Sequence, residues 1–519
     1  MRNALKSKNP QKRQIVITKT FAPPVGGWNA RDALASMRPE DAVVLSNFFP
    51  NASYVEFRGG YTLHASALGS TGKTLMVYNG LTGTNKMFCA TSTNVMDVTS
   101  AGAASSVAAR TNGKHRWNMF GDGTNQWLMI FNGVDNPLFY DGTTWTTITG
   151  ASTPALTGVT VTDIASGHPF KGRMIFLFNN SMKFGYLTAG AAGGAVSLFD
   201  LSGEASKGGY LIAFAHWTRD AGSGPDDYAV FFTSEGEAIV YAGTNPNSAT
   251  TWAKVGSFTI GKPIGRKSVI QYGTDCVVTT EDGVFPMSAL LQTAEAERAK
   301  LSLSDKIRPA FISAARSYGG NFGWCATVFP ARNALLVNIP IAEDGTHEQY
   351  VMNTVTKSWC KFTDWDAEDF VVFNKELYFC DGSAVYKAWT GTVDLTDDIN
   401  FYGKQAFQNF GSNEPKQVKL FMPLIAVNGS LAYGADIDVD FEDNDITGTV
   451  SFTVTSGAVW GASNWGASYW AANLQVTKQW TSPAEWPGTW ISGKVKVTTQ
   501  SISGQWMGTI LRYEDAPSI

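Results

Sequence analysis

Between Asp436 and Glu442 the sequence alternates strictly, with Asp436, Asp438, Asp440 and Glu442 separated by Ile437, Val439 and Phe441. Successive side chains of a strand point to opposite faces, so four carboxylates would share one side and an apolar row the other. Such a face suits a solvated outer surface, a channel wall that repels DNA phosphates so that a duplex slides past, or a calcium site. Calcium needs convergent ligands, whereas a flat strand spreads same-face groups roughly 7 Å apart. Trp460, Trp465 and Trp470 form a near-repeat whose flat apolar faces would stack on sugar rings or fill a core or subunit interface. Lys262, Arg266 and Lys267 lie in a loop bounded by Gly261, Pro263 and Gly265, which suits a surface turn or a contact with a phosphate or a partner.

Other motifs weigh less. Residues 67–74 read Ala-Leu-Gly-Ser-Thr-Gly-Lys-Thr, a loose phosphate-loop pattern. A phosphate loop joins a buried strand to a helix whose first amides cradle the ligand. Here a strand-like Leu75-Met-Val-Tyr78 follows, then an Asn79-Gly80 hairpin turn, so the match is read as fortuitous. The five histidines, His64, His115, His168, His216 and His347, are scattered with no HExxH, and no GxSxG occurs. Glycoside hydrolysis needs a carboxyl pair that forms in space, and no local signal singles one out. The five cysteines, Cys89, Cys276, Cys325, Cys360 and Cys380, include no CxxC and read as reduced core residues. No catalytic residue, cofactor or metal ligand is assigned on these grounds.

The elements that must position these residues are β-rich. Charged residues make up 16% of the chain, against roughly 25% in an average protein, while 52 glycines and 13% aromatics favour strands and tight turns. A net charge of -4 argues against a protein whose main task is gripping phosphates. No stretch of about 18 apolar residues occurs, so no membrane insertion is expected. The basic start, with Arg2, Lys6, Lys8, Lys12 and Arg13, precedes an apolar run of only Ile15 to Ile17, too short for a signal-peptide core, so folding in a cytoplasm is expected.

At 519 residues the chain exceeds what one hydrophobic core fills, and three segments are expected. Residues 1–60 hold a basic tip that would order against a partner, a Pro- and Gly-rich stretch, and a short helix near Pro39 carrying Ala42, Val43 and Leu45; this segment would pack on a platform or an adaptor. Residues 61–391 alternate short apolar runs with Gly, Asn and Asp turns. A unit of strand, acidic residue, Gly and strand recurs at Gly142, Gly236, Gly283 and Gly382, spaced near multiples of one blade-sized period, which predicts a degenerate β-propeller in preference to sandwiches. Residues 293–316 are the expected helical insertion, either covering the sheet or reaching a neighbouring subunit. Residues 392–519, with seven of the 17 tryptophans, are expected to form a β-sandwich-like platform. The fold class is therefore all-β with few short helices.

Specific strings add a resemblance. Pro23-Pro-Val-Gly-Gly-Trp-Asn-Ala-Arg-Asp32, Met37-Arg-Pro-Glu-Asp41 through Asn47-Phe48-Phe49-Pro50, and Val55-Glu-Phe-Arg58-Gly-Gly-Tyr61 resemble the start of the tail nozzle or tail hub (tail tubular protein B-like) proteins of short-tailed, podovirus-type bacteriophages. The likeness continues through Ile260-Gly-Lys-Pro-Ile-Gly-Arg266, Val278 to Val284, Gln349-Tyr-Val-Met-Asn353, Ser358-Trp359-Cys360 and Ala406 to Gly411 with Lys416. It implies a structural virion subunit, not an enzyme: a homohexameric ring below a tail adaptor protein, with an outer propeller and a platform around the DNA channel. Tail fibres or spikes would dock on it, and genomic double-stranded DNA would touch it transiently. A propeller-type glycan-binding protein or glycosidase acting on the host surface is the alternative.

Overall fold

The computed structural model describes residues 16–220, 225–292, 299–453, 474–483 and 487–516. The chain divides into two compact units, one of residues 58–397 and one built from residues 1–57 together with 398–519. The N-terminal residues thus belong to the same unit as the C-terminal ones, and the larger unit is inserted between them.

Among the described residues of 58–397, seven antiparallel sheets follow one another in chain order, beside one short parallel pair, Leu156–Thr157 with Gly194–Ala195. The first comprises Gly72–Tyr78, Lys86–Thr91, Asn94–Asp97 and Ser105–Ala109. The second comprises Arg116–Gly121, Gln126–Phe131, Leu138–Tyr140 and Trp145–Thr147. Sheets three and four run Ile164–Phe170 to Ser197–Asp200 and Leu211–Asp220 to Trp252–Thr259. The fifth has three strands, Val269–Tyr272, Asp275–Thr280 and Gly283–Pro286. The sixth runs from Cys325–Phe329 to Trp359–Phe362. The seventh takes Asp369–Phe373, Glu376–Cys380 and Val385–Ala388, and its outer strand is Tyr61–Ser66 from the other end of the unit. The first strand of each sheet touches that of the next, and the seventh touches the first, so the sheets are blades around one axis. This unit is a seven-bladed β-propeller.

The blade strands read as near-continuous apolar runs because both faces are buried. In Gly72–Tyr78 every residue is buried. Leu75 and Val77 pack toward blade seven with Val371, Phe373 and Tyr378. Met76 and Tyr78 pack toward blade two with Leu128, Ile130 and Tyr140. Ring closure is secured by charge as well as by strand pairing. Arg58, the first residue of the unit, donates two hydrogen bonds to Asp394, at 2.9 and 2.6 Å, beneath Trp365.

The helical insertion covers the protein's own sheet. The helix Arg308–Tyr318 buries Phe311, Ala314 and Ala315, and Phe311 meets Trp324 and Tyr350 edge-on. Among the described residues blade five has no fourth strand, and Leu303 takes its place by donating its N–H to the Val284 carbonyl at 2.8 Å. The earlier part of this stretch, residues 293–298, lies outside the described residues.

The second unit stacks two sheets. One orders Gly27–Trp28, Asp41–Ser46, Ile399–Gln405, Ile491–Thr499, Leu431–Val439 and Thr449–Phe452. The other centres on Gly504–Asp515, flanked by Lys416–Val427 on one edge and by Val55–Phe57 and Ile17–Phe21 on the other. Phe48 and Phe57 of the second sheet meet Phe401 of the first, with Phe57 and Phe401 stacked at 4.5 Å, and Phe48 also meets Trp506 of its own sheet. The helix expected near Pro39 is a strand instead, Asp41–Ser46, because pairing with Ile399–Gln405 and burial of Ala42 and Leu45 override a local start signal.

Candidate functional site

The inner strands of the propeller all begin at one end of its axis, and there the chain concentrates charge. Lys73 opens the inner strand of blade one, Lys114 to Arg116 lead into blade two, Arg266 and Lys267 precede blade five, and Glu368 and Asp369 precede and open blade seven. The segments leading into blades two and five, with residues 319–324, line a cavity of about 270 Å³ whose lining includes Lys114, His115, Arg116, Arg266, Lys267 and Phe322.

Ion pairs satisfy part of this charge. Lys267 Nζ lies 2.8 Å from Asp369, Lys114 Nζ 2.5 Å from Glu343, and the buried Lys73 pairs with Asp344 and, at 3.3 Å, with Glu368. Phe322 sits among the three ammonium groups, its ring centroid 4.9 Å from Lys114, 5.4 Å from Lys267 and 5.5 Å from Lys73. Burial pushes the Glu368 carboxyl up in spite of Lys73. Burial also pulls the His115 imidazole down to about 4, so it is neutral at pH 7.

The two arginines are less well served. Arg266 donates one hydrogen bond, to Asn179 Oδ1 at 3.1 Å, and its Nη1 is buried with no partner among the described residues. Arg116 Nε is likewise buried with no partner among them. Desolvation lowers both guanidinium pKa values, and both groups stay charged at pH 7. The carboxylate that acts most on Arg116 is Asp369, already committed to Lys267 and to the Leu75 N–H at 2.9 Å.

The residues that type and spacing had marked as candidates lie in different places. Of the basic loop, Arg266 and Lys267 reach the cavity, whereas Lys262 is exposed and pairs with Glu235 at 2.7 Å. Asp436, Asp438, Asp440 and Glu442 do not form one solvent-facing acidic row, because the strand Leu431–Val439 ends before Asp440. Asp440 and Phe441 take left-handed backbone angles, and Asp440 Oδ1 accepts the N–H groups of Thr489 and Trp490, both at 2.9 Å. Asp436 and Asp438 are buried, and Asp438 is held by Lys494 at 2.5 Å and Lys404 at 2.7 Å. The Asp438 charge is matched inside the unit, so the strand presents no free acidic face. Trp460, Trp465 and Trp470 lie outside the described residues. Lys73 of the loose phosphate-loop match sits within the strand Gly72–Tyr78, with no helix after it.

Arg116 and Phe322 carry no motif that marks them in the sequence. The signal available was a recurring one: Asn112-Gly-Lys-His-Arg116 and Ile264-Gly-Arg-Lys267 both place basic residues just after a Gly turn and at the start of an inner strand. All five cysteines are buried, and none forms a disulfide. Among the described residues no group of three or more His, Cys, Asp or Glu is placed to hold a metal ion, and no helix is long and apolar enough to cross a membrane.

The fold defines a class: a seven-bladed propeller inserted in a two-sheet β unit. No family model matches the chain, and no curated protein matches it. Among solved structures it is similar to a glycoside hydrolase family 43 arabinoxylan arabinofuranohydrolase from Bacillus subtilis, at 11% identity over 94% of this chain and 98% of that one, with a TM-score of 0.26. It is also similar to YCF48 bound to a D1 peptide, at 11% identity over 70% and 99% of the two chains and a TM-score of 0.32. A third is a quinonprotein alcohol dehydrogenase-like protein from Bacteroides thetaiotaomicron, at 9% identity over 61% and 68% and a TM-score of 0.33. Likeness at this level speaks to neither substrate nor activity.

Proposed function

We propose that the chain is a non-enzymatic structural subunit of a short phage tail, a nozzle or hub whose copies close a ring around the DNA exit channel. The observation that carries this reading is the pairing of a propeller with a separate β unit built from both ends of the chain, the two parts that the sequence resemblance implies. The resembling strings run through both: Pro23 to Phe57 in the β unit, and Ile260 to Val284 at blade five. Identical subunits with heterologous contacts close into a ring when the rotation between neighbours closes. In this reading the chain forms a homohexamer beneath a tail adaptor, offers docking surfaces to fibres or spikes, and resides in the virion after assembly in the host cytoplasm. Mixing the purified protein with the adaptor-bearing portal complex and imaging by negative stain tests it. Rings or a stub below the portal are expected, and absence of the protein from purified virions overturns it.

A second reading, a glycan-binding propeller or glycosidase, is favoured by the axial cavity with Phe322 and Trp324 in its lining. Hydrolysis requires two carboxyl groups facing the substrate, one as acid. The lining of this cavity includes no Asp or Glu, and the nearby Glu343, Asp344, Glu368 and Asp369 are each paired with a lysine, Glu368 being enclosed at 1% side-chain exposure. Incubation with host-surface polysaccharide is therefore expected to leave its chain length unchanged; shortened products would replace the structural reading with the enzymatic one.

A further inference from the structure

We propose that the cavity at the propeller axis is an anion-binding site, taking a carboxylate or phosphate-type oxyanion borne on a small molecule, with Arg116 and Arg266 as its ligands. The first ground is charge. Five cations, Lys73, Lys114, Arg116, Arg266 and Lys267, gather at this end of the axis, and the lysines consume the local carboxylates. Neither arginine has an ion-pair partner among the described residues, although a guanidinium fork is shaped to grip an oxyanion bidentately.

The second ground is unsatisfied hydrogen bonding. Arg116 Nε and Arg266 Nη1 are buried with no partner among the described residues. Buried donors are nearly always paired in native proteins, and both of these belong to side chains that line the one cavity, where the charge of each guanidinium is uncompensated. The third ground is size. About 270 Å³ lies near the lower end of small-molecule pockets, enough for an acidic monosaccharide or a phosphorylated metabolite and far too small for a duplex. The Phe322 ring supplies an apolar wall beside the charge. The inference stands apart from the tail reading, because it depends on the propeller interior alone.

Calorimetric titration of the full-length protein tests it, with sodium phosphate, sodium sulfate and sodium glucuronate as probes and glucose as the neutral control. Saturable binding of at least one anion, and none of glucose, is expected. A preference for glucuronate would identify an acidic sugar as the source, and a preference for phosphate or sulfate a free or esterified oxyanion. Arg116→Gln and Arg266→Gln are each expected to weaken binding about tenfold or more, Arg116→Lys to weaken it less, and Lys262→Gln to leave it unchanged. If Arg116→Gln does not fold, Arg266→Gln decides the matter. No saturable signal up to about 10 mM of any probe, or equal affinity in the folded arginine variants, overturns the proposal.

Discussion

Lys404 and Lys494 stand directly opposite each other on adjacent strands of the β unit, an arrangement that repels unless a carboxylate intervenes. Asp438 is that carboxylate, with Asp443 contacting Lys404 at 2.8 Å from the outer side. Asp438→Asn leaves two buried ammonium groups without their shared counter-charge, so urea denaturation should show a loss of about 3–5 kcal/mol. Removing all three charges together with apolar residues of similar volume should cost far less. The alternation of residues 436–442 was legible as a strand pattern, but which face is buried was not. That depends on two lysines, one of them far off in the sequence on each side, and the pattern also ran past the true strand end at Val439.

A second residue-scale prediction concerns acid. Burial first, then Arg116, then His216 hold the His168 imidazole down to about 3, from an ordinary 6.5. Below pH 6.5 the unfolded chain binds a proton that the folded one refuses, so this contribution to stability is intact above pH 6.5 and falls with pH toward 3. The slope is about 1.4 kcal/mol per pH unit for one such histidine. Unfolding midpoints at pH 7, 6 and 5 should therefore fall for the wild type and fall less steeply for His168→Gln.

Within the propeller, the closing strand is the element that joins distant parts of the chain. Tyr61–Ser66 completes blade seven beside Val385–Ala388, and Arg58 with Asp394 locks the junction at 0% and 4% side-chain exposure. Asp394→Asn strands a buried guanidinium and should lower stability by about 3–5 kcal/mol, with limited proteolysis cutting first near residues 58–66. The blades themselves were legible from their Gly turns, though not their register. Gly236 and Gly382 fall between the second and third strands of their blades and Gly283 opens the third strand of its own, whereas Gly142 falls between the third and fourth. Local turn chemistry marks a hairpin without saying which hairpin of the four-stranded set it is. The helix expected in place of Asp41–Ser46 has the same root, since a Pro39-Glu40 start signal is local and the strand pairing that overrides it is not.

At the scale of the molecule, the insertion is the organising fact. The chain leaves the β unit after Phe57 and re-enters at Asp398, and within that unit Phe57 stacks on Phe401 at 4.5 Å. The two ends of the host are therefore already side by side, so replacing residues 58–397 with a short Gly-Ser linker should give a β unit that folds with an unchanged far-ultraviolet β signature. Loss of a cooperative transition in that variant would show that the β unit depends on the propeller. Strand runs and turns were legible in both parts because they are local. That residues 1–57 join 398–519 in one unit rests on strand pairing across the whole chain, which no local pattern carries.

The pairing of those ends also decides how the molecule answers a pull. Ile17 lies opposite Tyr513 and Phe21 opposite Thr509, so tension applied between the two termini unzips this strand pair one bond at a time.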